Sequence, residues 1–214
     1  MRDIVLISDP RVVSIPVEES GERLADVRGR LRIDDRLADS EGAFAHLREG
    51  VLLRLEDAQT QLPPGYRLLV VEGYRPLATQ RQIFDGYSAE LRTTFPEMSP
   101  EEIWVAASRY VSPVEVAPHT AGAAVDLTLC TEDGTELDMG TPLNATPEQS
   151  DGACYTDAPG LSSEARHNRK LLGVALESAG LVNYRTEWWH WSYGDRYWAM
   201  TTGAAFALYG SRLL

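Results

Sequence analysis

Two short segments far apart in the chain carry side chains that act together only if the fold brings them together. One reads His119-Thr120-Ala121-Gly122-Ala123-Ala124-Val125-Asp126, and the other reads Glu187-Trp188-Trp189-His190. Between them they supply two imidazoles and a carboxylate, with a spare carboxylate just before the second imidazole. A catalytic zinc takes three protein ligands from His, Asp or Glu and leaves a fourth position open to water. It also needs a base to take the proton of that water and hand it to a leaving amine. His119, Asp126 and His190 meet the first need, and Glu187 meets the second. The chain has four histidines, so half of them fall in these two segments. The pattern favours a metal-dependent hydrolase.

A blander reading stands beside it. Trp188, Trp189 and Trp191 suit a packed aromatic strand, with His190 a hydrogen-bonded core residue. Asp126 suits a strand end, and His119 an exposed loop. Each residue alone fits that reading. The Gly122 turn and the paired acid Glu187 favour the metal site once the set is taken together. Geometry adds a condition, because residues three apart in a regular strand point to opposite faces. Glu187 and His190 therefore share a site only if the strand bends near Trp188 or if Glu187 precedes it.

With 214 residues, 43% of them hydrophobic, the chain can bury a sizeable core, and a single domain over 1–214 is expected. Its 32 acidic against 20 basic residues give a net charge of -12. That balance argues against a nucleic-acid surface, which needs clustered Lys and Arg. It also argues, more weakly, against an anionic membrane. No apolar run approaches the roughly 20 residues of a membrane span, and the run near the N-terminus is too short for a signal segment. A cytoplasmic protein is the expectation. Cys130 and Cys154 lack the spacing of a zinc or redox pair and read as reduced thiols.

Residues 1–40, with Pro10, Pro16, Gly29 and short runs such as Val12-Val13, read as strand and loop material wrapping a core. Ala43 to Gln61 places Phe44, Leu47, Val51, Leu52, Leu55 and Ala58 at helical spacing. His46 on that helix, and His167 on a later one, read as exposed. Pro63-Pro64-Gly65 ends the helix, and Tyr66 to Val71 follows as a strand. Pro76 biases Arg75 away from helical geometry, which puts the arginine at a strand-to-helix corner. Helices are expected from Leu77 to Thr94, from Pro100 to Arg109 with Ser99 and Glu102 as a capping box, and from Ser163 to Ala179. Ala123 to Leu129 alternates Val125, Leu127 and Leu129 with Asp126 and Thr128, a strand pattern, and Asp133-Gly134 supplies a hairpin turn. Gly140 to Leu161 is loop-like and suits a substrate loop or a connector. Strands at Leu181 to Tyr184 and Trp188 to Trp191 close the sheet. Tyr193, Tyr197 and Trp198 continue the aromatic stretch and read as core packing or as the edge of the site. The order of elements points to an α+β fold, a mainly antiparallel sheet with flanking helices.

The run H-x-x-G-x-A-x-D (His119, Gly122, Ala124, Asp126), the segment Glu187-Trp188-Trp189-His190, and Glu72-Gly73-Tyr74-Arg75-Pro76 together resemble the zinc D-alanyl-D-alanine dipeptidases of the VanX-like type. The resemblance runs from about residue 66 to 198, with the three motifs in the family's order. It implies the single-zinc fold that the family shares with D,D-carboxypeptidases and the Hedgehog-type zinc domains. It implies one zinc per chain on His119, Asp126 and His190, Glu187 as general base, and Arg75 facing the developing oxyanion. Without the motif, Arg75 reads as a surface ion-pair partner of Glu72. The implied substrate is a small peptide of D-Ala-D-Ala type, which places the chain in peptidoglycan chemistry.

Two departures bear on substrate contact, for which Tyr74, Ala117 and Asn144 are the candidates. The family often reads S-x-H, and Ala117-Pro118-His119 lacks that hydroxyl. After Met139-Gly140 the dipeptidases commonly carry an aspartate for the substrate's ammonium group, and the nearest match here is Asn144, with Asp151 in the same loop. An amide accepts a hydrogen bond without supplying a charge. The competing readings are a D,D-carboxypeptidase, an amidase acting on a related D-amino-acid peptide, and a non-catalytic zinc-fold binding module.

Overall fold

A computed structural model describes residues 4–212. Met1, Arg2 and Asp3 at the start of the expected wrapping segment, and Leu213 and Leu214 at the end, lie outside the described residues. The helices are α1 (Pro10–Val13), α2 (Glu49–Gln61), α3 (Leu77–Thr94), α4 (Pro100–Ala107), α5 (Ser163–Ser178) and α6 (Arg196–Thr202). The strands are β1 (Leu24–Asp26), β2 (Arg32–Ile33), β3 (His46–Arg48), β4 (Tyr66–Glu72), β5 (Ala124–Thr131), β6 (Val182–Asn183) and β7 (His190–Ser192). A five-stranded sheet runs in the order β2-β4-β5-β7-β6, and β1 pairs with β3 in a separate two-stranded sheet. Among the strand pairs of the described residues β2–β4 is the parallel one and the other four are antiparallel, so the fold is α+β and mainly antiparallel.

The pleat of β5 divides the molecule. Val125, Leu127 and Leu129 join Val51, Leu52 and Leu55 of α2 and Leu172 and Leu176 of α5 in the main core. Asp126, on the alternate face, looks the other way. A second cluster forms between α3 and α4, where Tyr87 and Leu91 meet Ile103 and Ala107. Ser99 and Glu102 form the expected capping box at the start of α4. Cys130 and Cys154 are free, buried thiols. Among the described residues no helix is long and apolar enough to cross a membrane.

Three expectations are corrected. The helix proposed from Ala43 starts at Glu49, because Ala43–Ala45 is a 3-10 turn and His46–Arg48 pairs with β1 as a strand. His46 is accordingly half-buried on that strand, with its Nδ1 2.8 Å from the Gly42 carbonyl. Its helical spacing arose from apolar residues that an extended segment buries equally well. Residues 1–40 contain α1, started by Asp9, whose side chain accepts from the Arg11 amide. Tyr197, carried on α6, packs in a buried cluster with Ile7, Val12 and Tyr184, in keeping with the core packing expected of it, and the buried Asp195 caps that helix.

Arg48 holds three distant segments at one point. Its side chain is fully buried. Nε donates to the Ala121 carbonyl at 2.7 Å, and Nη1 to the Glu22 carbonyl at 2.6 Å. Nη2 donates to the Gly210 carbonyl at 3.1 Å, and both terminal nitrogens reach the Glu19 carboxylate. The guanidinium thus joins the N-terminal segment, the C-terminal segment and the turn that carries His119. A lysine cannot present this fork of donors. Arg48→Lys should therefore lower unfolding free energy by about 2–4 kcal/mol, since buried carbonyls lose their donors. Urea denaturation of the two proteins measures it.

Candidate active site

Sheet register assembles the carboxylates. Asp126 of β5 lies opposite His190 of β7, and on its other side opposite Glu72 of β4. The β4–β5 pairing shifts by one residue between Val70 and Glu72. Without that bulge Glu72 would lie on the opposite face from Asp126, so the extra residue turns Glu72 toward the site. The three residues form a row across three strands.

His119 comes from a 3-10 turn, Pro118–Ala121, closed by Gly122 in the left-handed region at φ 66°. Arg48 donates its backbone amide to the Gly122 carbonyl at 2.8 Å, fixing the turn against β3. His119 Nδ1 donates to the Gly73 carbonyl at 2.7 Å, which leaves the lone pair on Nε2. Gly73 has no room for a side chain, since a Cβ there would run into the His46 carbonyl.

Glu187 precedes β7, which meets the second of the two geometric conditions. The chain coils there: the Glu187 amide donates to the Tyr184 carbonyl at 2.8 Å, and the His190 amide to the Glu187 carbonyl at 3.3 Å. Asn183 Nδ2 bridges the carbonyls of Glu187 and His190 at 2.9 and 3.0 Å. Two successive tight turns therefore bring both side chains to one side.

The donor atoms converge. His119 Nε2 lies 3.2 Å from His190 Nδ1 and 3.3 Å from Asp126 Oδ1, and His190 Nδ1 lies 3.0 Å from the same oxygen. Ligand atoms of the three residues all fall within 4.8 Å of one another. Glu187 Oε2 is 3.7 Å from His190 Nδ1, and its Oε1 is buried with no partner among the described residues. Two imidazole nitrogens and a carboxylate oxygen aimed at one point are a donor set that suits a zinc ion.

Electrostatics separates the two acids. Burial works to raise the Asp126 carboxyl, but the two imidazoles hold it well below the usual carboxylate range. Burial raises the Glu187 carboxyl well above its ordinary value, and the Asp126 charge pushes the same way. Neighbouring acids with opposite shifts are what a division between ligand and proton carrier requires.

Arg75 sits at the β4–α3 corner and does pair with Glu72, but inside the protein rather than on its surface. Both side chains are largely buried. Nε donates to Glu72 Oε1 at 2.6 Å, Nη2 donates to Oε2, and Nη1 donates to Gln80 Oε1 at 2.8 Å. Gln80 Nε2 in turn donates to the Ser112 carbonyl at 2.7 Å. Gln80, Tyr110 and Tyr184 line the same cleft and were not singled out from sequence. The available signal was Gln80, a polar residue on the inward face of an amphipathic helix.

The cleft has a volume of about 300 Å³, the small end of ligand pockets and the size for a short peptide. Ala117 and Asn144 line it. Tyr74 is not among the lining residues: it is buried, and its hydroxyl donates to the Arg212 carbonyl at 3.0 Å. It is put forward by the Gly73-Tyr74-Arg75-Pro76 segment, whose arginine lines the cleft while its tyrosine packs away from it. Asp151 is exposed on its loop, with φ 50°.

Residues 36–205 match the peptidase M15 family, described as D-Ala-D-Ala dipeptidase. A D-alanyl-D-alanine dipeptidase of Synechocystis sp. is 31% identical over 219 aligned positions, covering 87% of this chain and 88% of that protein. The D-alanyl-D-alanine dipeptidase of Escherichia coli K12 is 30% identical, covering 72% of each. Among solved structures, the LdcB LD-carboxypeptidase is 17% identical with a TM-score of 0.49, covering 88% of this chain and 76% of that one. The chain is a peptidase, and it belongs to the M15 family of D-Ala-D-Ala dipeptidases.

Proposed function

We propose that the protein hydrolyses a D-Ala-D-Ala-type dipeptide with one zinc ion held by His119 Nε2, Asp126 Oδ1 and His190 Nδ1. The observation that carries this reading is the convergence of those three atoms beside the partnerless oxygen of Glu187. Zinc in such a site supplies Lewis-acid chemistry, acidifying water and polarising a peptide carbonyl. Glu187 takes the proton of the attacking water and delivers it to the departing amine nitrogen. Its raised pKa suits both halves of that shuttle. Arg75, locked by Glu72 and Gln80, stabilises the negative charge that develops on the carbonyl oxygen. Because the guanidinium is already oriented, it does so without reorganisation.

A zinc-fold binding module needs neither Glu187 nor Arg75, and burying both charged groups would cost stability without return. The reading as a carboxypeptidase or amidase on a related D-amino-acid peptide has one observation in its favour. Asn144, not a carboxylate, lines the cleft where a free ammonium group would be read.

Protein purified without chelator and offered zinc should hold about one zinc per chain by elemental analysis, and chelation should abolish hydrolysis of D-Ala-D-Ala. A protein that takes up no transition metal overturns the reading. Glu187→Gln should keep the zinc while turnover drops at least ~10²-fold, whereas His190→Ala should lose both. Loss of zinc from both variants would make Glu187 a ligand instead. A charge-assisted hydrogen bond is roughly twice as strong as a neutral one, so Asn144→Asp should raise kcat/KM for free D-Ala-D-Ala and lower it for the N-acylated peptide. An unchanged ratio of the two removes Asn144 from amino-terminus recognition and leaves the metal chemistry standing.

A further inference from the structure

The segment that carries Asn144, from Gly140 to Leu161, contains no helix or strand. No strand ladder holds it: local turns and two backbone hydrogen bonds, Thr156 N–H to the Arg185 carbonyl and Trp188 N–H to the Cys154 carbonyl, tie its later half, and side chains hold the rest. On its core side, both ends are tied. Asn168 Nδ2 donates to the Asp138 carbonyl at 2.8 Å, and Trp188 Nε1 to Thr141 Oγ1 at 2.9 Å. Arg169 donates to the carbonyls of Met139, Ala153 and Tyr155 at 2.7, 2.8 and 2.7 Å.

The middle of the loop is tied from a different element. Tyr110, just after α4, donates its phenol to the Asn144 carbonyl at 2.6 Å. Tyr87 of α3 donates its phenol to Glu148 Oε2 at 2.6 Å. The two rings meet edge to face, with centroids 5.0 Å apart. Both belong to the apolar cluster between α3 and α4, so each phenol is presented from a packed base. Asn144 itself has φ 65°, a left-handed conformation that asparagine tolerates and most residues resist. A residue in that conformation on an irregular loop keeps its position only when neighbours over-determine it.

We propose that Tyr110, braced by Tyr87, is a positioning residue for substrate selectivity: by holding the Asn144 carbonyl it sets where the Asn144 amide stands in the cleft. The proposal rests on the reading of Asn144 given above. It makes the α3–α4 pair, which supplies no metal ligand, a determinant of how the substrate's amino end is read. Tyr87 supplies the second tie, at Glu148, so the loop is held at two points and cannot pivot about one.

Tyr110→Phe removes the hydrogen bond and keeps the ring. It should raise KM for free D-Ala-D-Ala about 3–10-fold, the loss expected for one hydrogen bond, with the change falling on KM more than on kcat. KM for the N-acylated peptide should move less, and zinc content should not change. Amide hydrogen exchange should quicken within residues 142–148, at the five positions other than Pro142 and Pro147, which carry no amide hydrogen. In an Asn144→Gly background, which keeps the carbonyl but deletes the amide side chain, Tyr110→Phe should no longer alter the free-to-acylated ratio. A structural role alone would instead shift both substrates equally and by the same factor in either background, and that result overturns the proposal. Unchanged exchange at 142–148 in Tyr110→Phe overturns it as well. If the wild type cleaves neither peptide, the dipeptidase reading fails, and the exchange measurement alone decides whether Tyr110 holds the loop.

Discussion

Asp126 is a carboxylate buried on the central strand of the sheet, and such a group is tolerated only where strong partners surround it. Its partners arrive by separate routes. His190 comes by strand pairing and His119 by a 3-10 turn anchored to Gly73, while a bulge turns Glu72, the ion-pair partner of Arg75, onto the same face. Each route depends on the position of β5 between β4 and β7. A one-residue slip in either pairing would send Asp126 to the core face and Val125 or Leu127 to the cleft. The hydrophobic pattern that pins the register of β5 therefore also places the site, and the two cannot be altered separately.

The charges around Asp126 do not balance among themselves. Asp126, Glu72 and Glu187 are three acids facing one guanidinium, Arg75, with the imidazoles of His119 and His190 as the remaining partners. That excess of negative charge is what a divalent cation would cancel, and together with burial, the larger cause, it lifts the Glu187 carboxyl. Arg75 cannot swing over to relieve it, because Glu72 and Gln80 hold three of its donors. A rigid cation beside an under-neutralised cluster keeps its field pointed at the cleft, which is the condition for stabilising charge that appears only during reaction.

The parts of this arrangement that sequence could show are those with local chemistry or local period. The ligand types and their spacing around Gly122 were readable, as were α3, the capping box of α4 and the alternation along β5. What escaped depends on contacts between distant segments. The bulge after Val70 leaves no mark in the apolar run Leu68-Leu69-Val70-Val71. The coil that returns Glu187 to the side of His190 relies on Asn183, whose amide bridges two carbonyls no local pattern predicts. His46 was misplaced for a related reason: Phe44 and Leu47 fit helical spacing, yet strand pairing with β1 won. Nothing in its local sequence marks Arg48 as fully buried, since its partners come from three distant segments.

The cost of the site is met on the other face of the same strand. Five buried side-chain polar atoms lack a partner among the described residues, and three of them belong to Thr128, Glu187 and His190. Such orphan groups are rare in folded proteins and each lowers stability. Val125, Leu127 and Leu129 oppose that loss with fully buried apolar side chains packed on α2 and α5. Alternation along β5 thus places reactive, under-satisfied groups within one residue of fully buried members of the main core. A side chain on the cleft face is held in place by neighbours whose own positions are fixed by the core, which is how a small cleft can keep ligand atoms of His119, Asp126 and His190 within 4.8 Å of one another.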